Sequence, residues 1–268
     1  MRNIGVKKSF ITLLISFFLL NFLTAIILNS SFIASKLKDN YFFTVELKND
    51  LSEENINKLE NKLLLQPEVK AVRFITKEEA FRNLQKELGI VISNRDNPLP
   101  NSLLVSFNDT DDIEKIQELL DNENGVKEIF LDSNHIENTK RRIKGINTFS
   151  IFILGTDIAV VLMIYLIFSG GTITDYLRLT ITNPGNARNY KRAQNINLFP
   201  FMGASIMGSL LFFNLYIIFR KALLDLVPNL SLMSFHQMVF IISIIIIFFN
   251  IFVWLSPSII QKNREGKL

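Results

Sequence analysis

The sequence predicts an α+β membrane protein in which four transmembrane helices, arranged as one plus three, carry a folded domain after the first helix. Four apolar runs, each long enough to cross hydrocarbon as a helix of about 20 residues, lie at residues 10–34, 147–170, 199–219 and 238–256. Residues 35–146 hold 17 of the 29 Lys and Arg residues and 21 of the 25 Asp and Glu residues. This charged segment has the length of one small globular domain.

Basic residues at the ends of the runs predict the orientation of the chain. Three clusters flank the runs: Arg2, Lys7 and Lys8; Arg178, Arg188, Lys191 and Arg192; and Lys262, Arg264 and Lys267. An even number of spans places all three clusters on one side, which the positive-inside rule identifies as the cytoplasm. We therefore expect cytoplasmic tails at 1–9 and 257–268, a cytoplasmic loop at 171–198, an outer loop at 220–237 and an extracytoplasmic domain at 35–146. Arg220 and Lys221 oppose this orientation, and we expect their side chains to reach lipid headgroups.

The overall composition excludes several classes of protein. The surplus positive charge lies near membrane ends, so the net charge of +4 does not indicate nucleic-acid binding. The absence of cysteine excludes disulfides and thiolate chemistry. The first run is longer than the apolar region of about 7–15 residues in a cleaved signal peptide, which favours an uncleaved anchor.

The charged segment contains the same strand-helix-strand pattern twice. In the first copy, Phe42–Leu47 and Val69–Ile75 read as strands, and the helix between them opens after the capping signal Asp50–Glu53. In the second copy, the strands are Ser102–Phe107 and Val126–Leu131, and the helix opens at Asp111. Two such units in tandem predict a ferredoxin-like split βαβ sheet.

An inserted helical lobe separates the two copies. Thr76 and Glu79 form a capping box that opens a helix, and Asn97-Pro98-Leu99-Pro100 must be extended or turned after it. Some of the apolar residues of this lobe are expected to cover the edge of the sheet, and others to form an exposed patch that binds a partner. The residues expected to bind the outer partner are Phe81, Leu84, Leu88 and Ile90. Within that patch we expect the Phe81 ring to be the anchor.

Three local segments carry a resemblance to a known family. They are Phe43-Thr44-Val45, the stretch from Val72 to Ala80, and Asn97-Pro98-Leu99-Pro100-Asn101-Ser102. In their order and spacing among the four runs, they resemble the FtsX family of cell-division proteins. The resemblance implies a homodimeric, non-catalytic subunit of an ABC-type complex in the bacterial cytoplasmic membrane. Its partners would be an FtsE-like cytoplasmic ATPase, an extracytoplasmic peptidoglycan hydrolase or adaptor, and membrane lipid.

The cytoplasmic loop departs from the family pattern. Where family members usually carry an acidic-apolar stretch of the Glu-Ile-Glu-Ile-Met-Lys type, this chain has Asn183-Pro184-Gly185-Asn186-Ala187-Arg188. Pro184 and Gly185 predict a helix break at this point.

Motifs for chemistry are absent from the sequence, so we expect neither enzymatic activity nor a cofactor. No phosphate-binding G-x-x-x-x-G-K-[ST] motif occurs, and His135 and His236 lack metal-ligand spacing. An ATPase must then be a separate subunit, and we expect it to contact Arg178, Arg188, Lys191 and Arg192.

Four polar residues interrupt the apolar runs, namely Asp157, Asn21, Asn214 and Asn250. An ionisable residue at such a position indicates function by default, but bonds between helices are the simpler interpretation. We expect the asparagines to bond Asp157 or one another. The alternative function is a permease-like subunit of a MacB-like or lipoprotein-release exporter. Such proteins usually carry a larger outer domain, and these runs offer few polar residues to line a passage.

Overall fold

The computed structural model describes residues 2–49, 51–89, 97–186, 188–227 and 230–256. The elements in chain order are α1 (Arg2–Leu37), β1 (Phe42–Leu47), α2 (Glu53–Leu64), β2 (Val69–Ile75), α3 (Lys77–Leu88), β3 (Ser102–Phe107), α4 (Ile113–Asp121), β4 (Val126–Phe130), α5 (Ser133–Thr182), α6 (Asn189–Leu226) and α7 (Phe235–Leu255). They form two compact units, residues 34–145 and residues 1–33 with 146–268.

The first unit contains a four-stranded antiparallel sheet in the order β2-β3-β1-β4. The predicted bounds of β1, β2 and β3 are confirmed, and β4 ends at Phe130, one residue earlier than predicted. Alternation along the strands sends one set of side chains into the core. The core-facing residues of the central strands are fully buried: Phe43, Val45, Leu47, Leu103, Val105 and Phe107.

Local capping sets where the helices of this unit begin and end. The Ser52 hydroxyl accepts a hydrogen bond from the Asn55 N–H, and the Thr76 hydroxyl accepts one from the Glu79 N–H at 3.2 Å. Both N-caps predicted from the sequence are therefore confirmed. Helix α3 ends at Gly89, whose φ of 64° lies in the left-handed region that favours glycine.

The inserted helix α3 is tied to the sheet at its first turn. Arg73 of β2 pairs with Glu79 at 2.6 Å. The Asn97 amide donates to the Lys77 carbonyl at 2.8 Å, and the Lys77 N–H donates to the Asn101 side-chain oxygen at 2.9 Å. The segment Asn97–Pro100 has no helix or strand, as predicted.

The second unit consists of α1, the membrane part of α5, α6 and α7. Among the described residues, four helices are long and apolar enough to cross a membrane. Two buried clusters hold them together, one around Phe17, Ile164 and Phe201 and the other around Phe212 and Met238. These helices agree with the four predicted spans, but two of them extend well beyond the predicted limits. Helix α5 begins at Ser133, and the predicted loop 171–198 is helical up to Thr182 and again from Asn189.

Candidate functional site

The turn between α5 and α6 carries the four basic residues predicted to contact an ATPase. Arg178 lies near the end of α5, whereas Arg188, Lys191 and Arg192 lie at the start of α6, and all four are exposed. No ion pair within the described ranges involves any of the three arginines. Beside the turn is a groove of about 670 Å³, lined by Asn186, Arg188, Lys191, Arg192, Asn195 and Ile196. An exposed basic groove of this kind suits an acidic protein surface.

Pro184 and Gly185 break the helix as predicted. Helix α5 ends at Thr182, and Gly185 has a φ of 83°. Side-chain amides then fix the two helices that flank the turn. The Asn189 amide donates to the Asn183 carbonyl at 2.8 Å, and the Asn197 amide donates to Asp175 at 2.9 Å. The basic residues therefore lie on and beside a turn that side-chain hydrogen bonds hold in place.

Gln194 joins α6 to the end of α7, which the sequence analysis did not anticipate. Its buried amide donates to the carbonyls of Val253 at 3.2 Å and Trp254 at 3.0 Å, and Ser256 lies at 3.5 Å. The Lys191 ammonium lies 4.6 Å from the centre of the Trp254 ring, a cation–π contact. The sequence signal for this contact was a glutamine three residues after Lys191, close to the predicted third span.

The expectation that Phe81 is an exposed anchor is wrong. Its side chain is only 3% exposed, whereas Leu84 and Leu88 are 39% and 59% exposed. The attachments of α3 explain this division, because the contacts of Glu79 and Lys77 hold the first turn and place Phe81 in the core. Ile90 lies outside the described residues.

The intramembrane polar residues do not contact one another in the expected way. Asp157 accepts a hydrogen bond from Thr24 at 3.3 Å, not from an asparagine. Asn21 donates to Ser209 at 3.1 Å, and the Asn250 amide donates to Ser205 at 3.2 Å. The asparagines bind serines because Ser205 and Ser209, one turn apart on α6, lie opposite the amides of Asn250 and Asn21.

Asn214 is exposed and donates to the Leu210 carbonyl in its own helix. The polar residue that the sequence analysis missed is Asn29 of α1. Its amide donates to the Tyr216 hydroxyl at 3.0 Å, and its side-chain oxygen accepts from the Met233 N–H at 3.2 Å. Arg220 donates to the Met233 carbonyl, so its guanidinium binds the α6–α7 connection. Asn29 interrupts an apolar run just as Asn21 does, and the same signal would have found it.

Charged pairs connect the segment that leaves α1 to the sheet of the first unit. Lys38 pairs with Asp109 at 3.2 Å, and Lys70 pairs with Asp39. Partial burial acts to raise the pKa of Asp109, but hydrogen bonds from Lys38 and Thr110 outweigh it and hold the pKa below its usual value. Burial, together with the Asp109 charge, raises the pKa of Tyr41, whose ring stacks on Phe107.

No group of His, Cys, Asp and Glu side chains that could hold a metal occurs within the part of the chain that the structure describes. The arrangement instead consists of a folded domain with an apolar helix face, apolar helices joined by side-chain amides, and a basic turn. Residues 41–141, which include all four strands, match the family model of the FtsX extracellular domain. This part of the chain is an FtsX extracellular domain.

Solved structures of FtsX extracellular domains also resemble part of the chain. One is the crystal structure of extracellular domain 1 of FtsX from Streptococcus pneumoniae in complex with undecyl-maltoside, with 22% identity and a TM-score of 0.31 over 35% of this chain and 95% of that one. Another is the solution structure of the large extracellular loop of FtsX in Streptococcus pneumoniae, with 23% identity and a TM-score of 0.30 over 34% of this chain and 98% of that one. No curated protein matches the chain. An FtsX extracellular domain implies a cell-division component that works in an ABC-type complex.

Proposed function

We propose that this FtsX protein is a non-catalytic membrane subunit that transmits ATP-driven conformational change from a cytoplasmic FtsE-like ATPase to extracytoplasmic peptidoglycan hydrolases or their adaptor. It acts as a homodimer in the bacterial cytoplasmic membrane, with both termini in the cytoplasm. The strand order β2-β3-β1-β4, with two βαβ units, supports assigning its outer domain to the ferredoxin-like class.

The observation that carries this proposal is the continuity of α5. The helix starts directly after β4, the last strand of the outer domain, and ends at Thr182 beside the basic turn. Successive backbone hydrogen bonds resist bending along a helix, whereas a flexible linker would absorb a displacement. A displacement at the turn can therefore reach the outer domain through one element.

Gly145 offers a direct test of this coupling. It lies inside α5, is exposed, and a Cβ added there would meet no atom within 4 Å. Gly145→Pro removes one helix hydrogen bond and kinks the helix, whereas Gly145→Ala is the matched control. We expect the proline variant to retain the ATPase and its hydrolysis of ATP but to lose activation of the hydrolase. Full activation by the proline variant would reject transmission through α5.

The ATPase contact is tested at the exposed arginines. Arg188→Glu with Arg192→Glu should weaken copurification of the ATPase, because the groove would then repel an acidic surface. Lys191 is left unchanged, since its contact with Trp254 supports the fold. Arg142→Glu, an exposed reversal in the outer domain, is the control. Equal recovery of the ATPase with both variants would place its interface elsewhere.

The outer partner is tested at Leu84 and Leu88, the exposed part of the α3 stripe. Leu84→Ser with Leu88→Ser should abolish binding of the hydrolase or adaptor while lowering thermal stability less than Phe81→Ala does, because both leucines are far more exposed than Phe81. Phe81→Ala is the contrasting variant and should lower stability. Undiminished binding by the double serine variant would reject this patch.

The orientation is tested by single cysteines in a chain that has none of its own. Asn122→Cys should react with a membrane-impermeant thiol reagent in intact cells, and Asn186→Cys should be protected. The reverse pattern would overturn the orientation that the basic clusters predict.

A further inference from the structure

Two adjacent leucines at the end of α2 are exposed. Leu63 is fully buried in the domain core, but Leu64 is 46% exposed and Leu65 is 83% exposed. Exposing two large apolar side chains side by side loses the hydrophobic free energy that burial would supply. The fold of the domain does not require leucine at either position.

The register of the sheet locates this pair. Phe42 pairs with Ser106 and Val69 pairs with Phe107, so the starts of β1 and β2 and the end of β3 lie at one end of the sheet, here called the stem end. The α2–β2 connection is fixed there, because the Asn108 amide donates to the Pro67 carbonyl at 3.3 Å. The Asn108 N–H also donates to the Glu68 carbonyl at 3.3 Å.

Both helices that continue into the membrane spans connect to strands of the sheet at the stem end. Only residues 38–41 separate the end of α1 from β1, which keeps the start of β1 within about 17 Å of Leu37. The pair of Lys70 with Asp39 holds β2 to this same connection. Phe130, which pairs with Thr44 near the start of β1, is two residues before α5 begins.

We propose that Leu64 and Leu65 contact the lipid bilayer, with their side chains in the boundary between headgroups and acyl chains. The pair lies at the end of the sheet that directly follows α1, whose apolar run ends at residue 34. Lipid is therefore the apolar phase nearest to this end along the chain. Charged pairs such as Lys38 with Asp109 and Lys115 with Glu68 flank this end, and the headgroup region accommodates such pairs. The lipid contact fixes the α2–β2 corner of the domain at a third point besides the two helices.

The test uses the full chain, whose lack of cysteine allows a single labelled site. Leu65→Cys carries an environment-sensitive nitrobenzoxadiazole label in nanodiscs of phosphatidylethanolamine and phosphatidylglycerol, with and without acyl-chain spin-labelled lipid. The control is Asn124→Cys, an exposed position at the opposite end of the sheet, where the Asn124 carbonyl accepts from Lys48. Both sites are exposed, so neither label disturbs the core.

We expect the Leu65 label to emit at shorter wavelength and to be quenched by spin-labelled lipid about twofold or more above the control, because only groups at the boundary meet the acyl-chain spins. A label that is exposed to water and no more quenched than the control overturns the proposal. Short-wavelength emission that spin-labelled lipid leaves unquenched also overturns it, because a second copy or another protein would then cover the pair.

Discussion

The folded domain and the membrane unit differ in the side chains that they leave exposed. In the domain, β1 alternates between fully buried Phe43, Val45 and Leu47 and more exposed residues that include charged Glu46. In the membrane unit, α7 buries Met238 and Ile242, yet its outward Phe240 and Phe248 are 67% and 68% exposed and equally apolar. Exposed side chains are more polar than buried ones only in the domain, where water is the solvent.

This difference shows what specifies packing in each region. Apolar burial selects one arrangement of the domain, because any other arrangement exposes its core to water. In the membrane unit, lipid solvates an apolar face as well as a neighbouring helix does. Close contacts at small residues and bonds between amides and hydroxyls must then set which helix faces meet.

The largest expected effect comes from truncating a core ring of the domain. Phe107 is fully buried, stacks on Tyr41 at 5.6 Å and lies 5.3 Å from Phe43 between ring centroids. We expect Phe107→Ala to lower the free energy of unfolding by about 3–5 kcal/mol, measured by thermal unfolding of the full chain. The control Leu88→Ala, at an exposed position, should change it by about 0.5 kcal/mol or less. Similar losses for both would mean that α3 is packed as tightly as the sheet.

A smaller effect is expected where α6 crosses α1. A Cβ at Gly208 would lie 2.8 Å from the Leu14 carbonyl oxygen and 2.9 Å from the Phe17 Cβ. Gly208→Ala should therefore destabilise the membrane unit by about 1–3 kcal/mol, measured by unfolding in mixed detergent and dodecyl sulfate. Gly203→Ala is the matched control, since its Cβ would meet only the Phe10 ring at 3.6 Å. A neutral Gly208→Ala would show that the two helices are not in close contact.

The bond between Asn21 and Ser209 should contribute less than the close contact. A double-mutant cycle of Asn21→Ala and Ser209→Ala is expected to give a coupling energy of about 0.6 kcal/mol, and at most about 1.7 kcal/mol. The same unfolding assay measures it. Strict additivity of the two variants would contradict a bond that specifies packing.

The smallest effect is expected at the exposed charged pair of Lys38 and Asp109. The folded-state pKa of Asp109 is below its usual value, so the stabilisation is present above the unfolded pKa of about 3.9 and is lost as the pH falls through the folded pKa. Because the side chains are 40% and 56% exposed, solvent screening limits the effect to about 1 kcal/mol or less. Asp109→Asn should remove this part of the acid sensitivity between pH 7 and pH 3. An identical pH profile for both proteins would contradict it.

Much of the domain was predictable because its signals are local. Ser52 and Thr76 cap helices within three residues of themselves, and alternation alone set the bounds of β1 and β3. The burial of Phe81 was not predictable, because it depends on Arg73 and other residues that α3 meets only after folding.

The membrane unit was predictable in number of helices but not in their contacts. Apolar length identified all four spans, whereas the partner of Asp157 depended on which face of α1 presents Thr24. The start of α5 was missed for a different reason. Ile136, Thr139 and Ile143 form a buried helical stripe, but Lys140, Arg141 and Arg142 lie among them, so this segment is not apolar enough to be predicted from apolar length.

The amide of Gln194 also bears on how the protein adapts to bilayers of different thickness. Carbonyls at the end of a span need partners, and Gln194 supplies them for Val253 and Trp254. A shift of α7 by one residue along its axis would break both bonds. With 21 residues, α7 is the shortest of the four candidate spans in the described residues, so a thicker membrane would exceed its length first. Because these bonds couple the two helices, α6 and α7 must change their tilt together when the membrane becomes thicker or thinner.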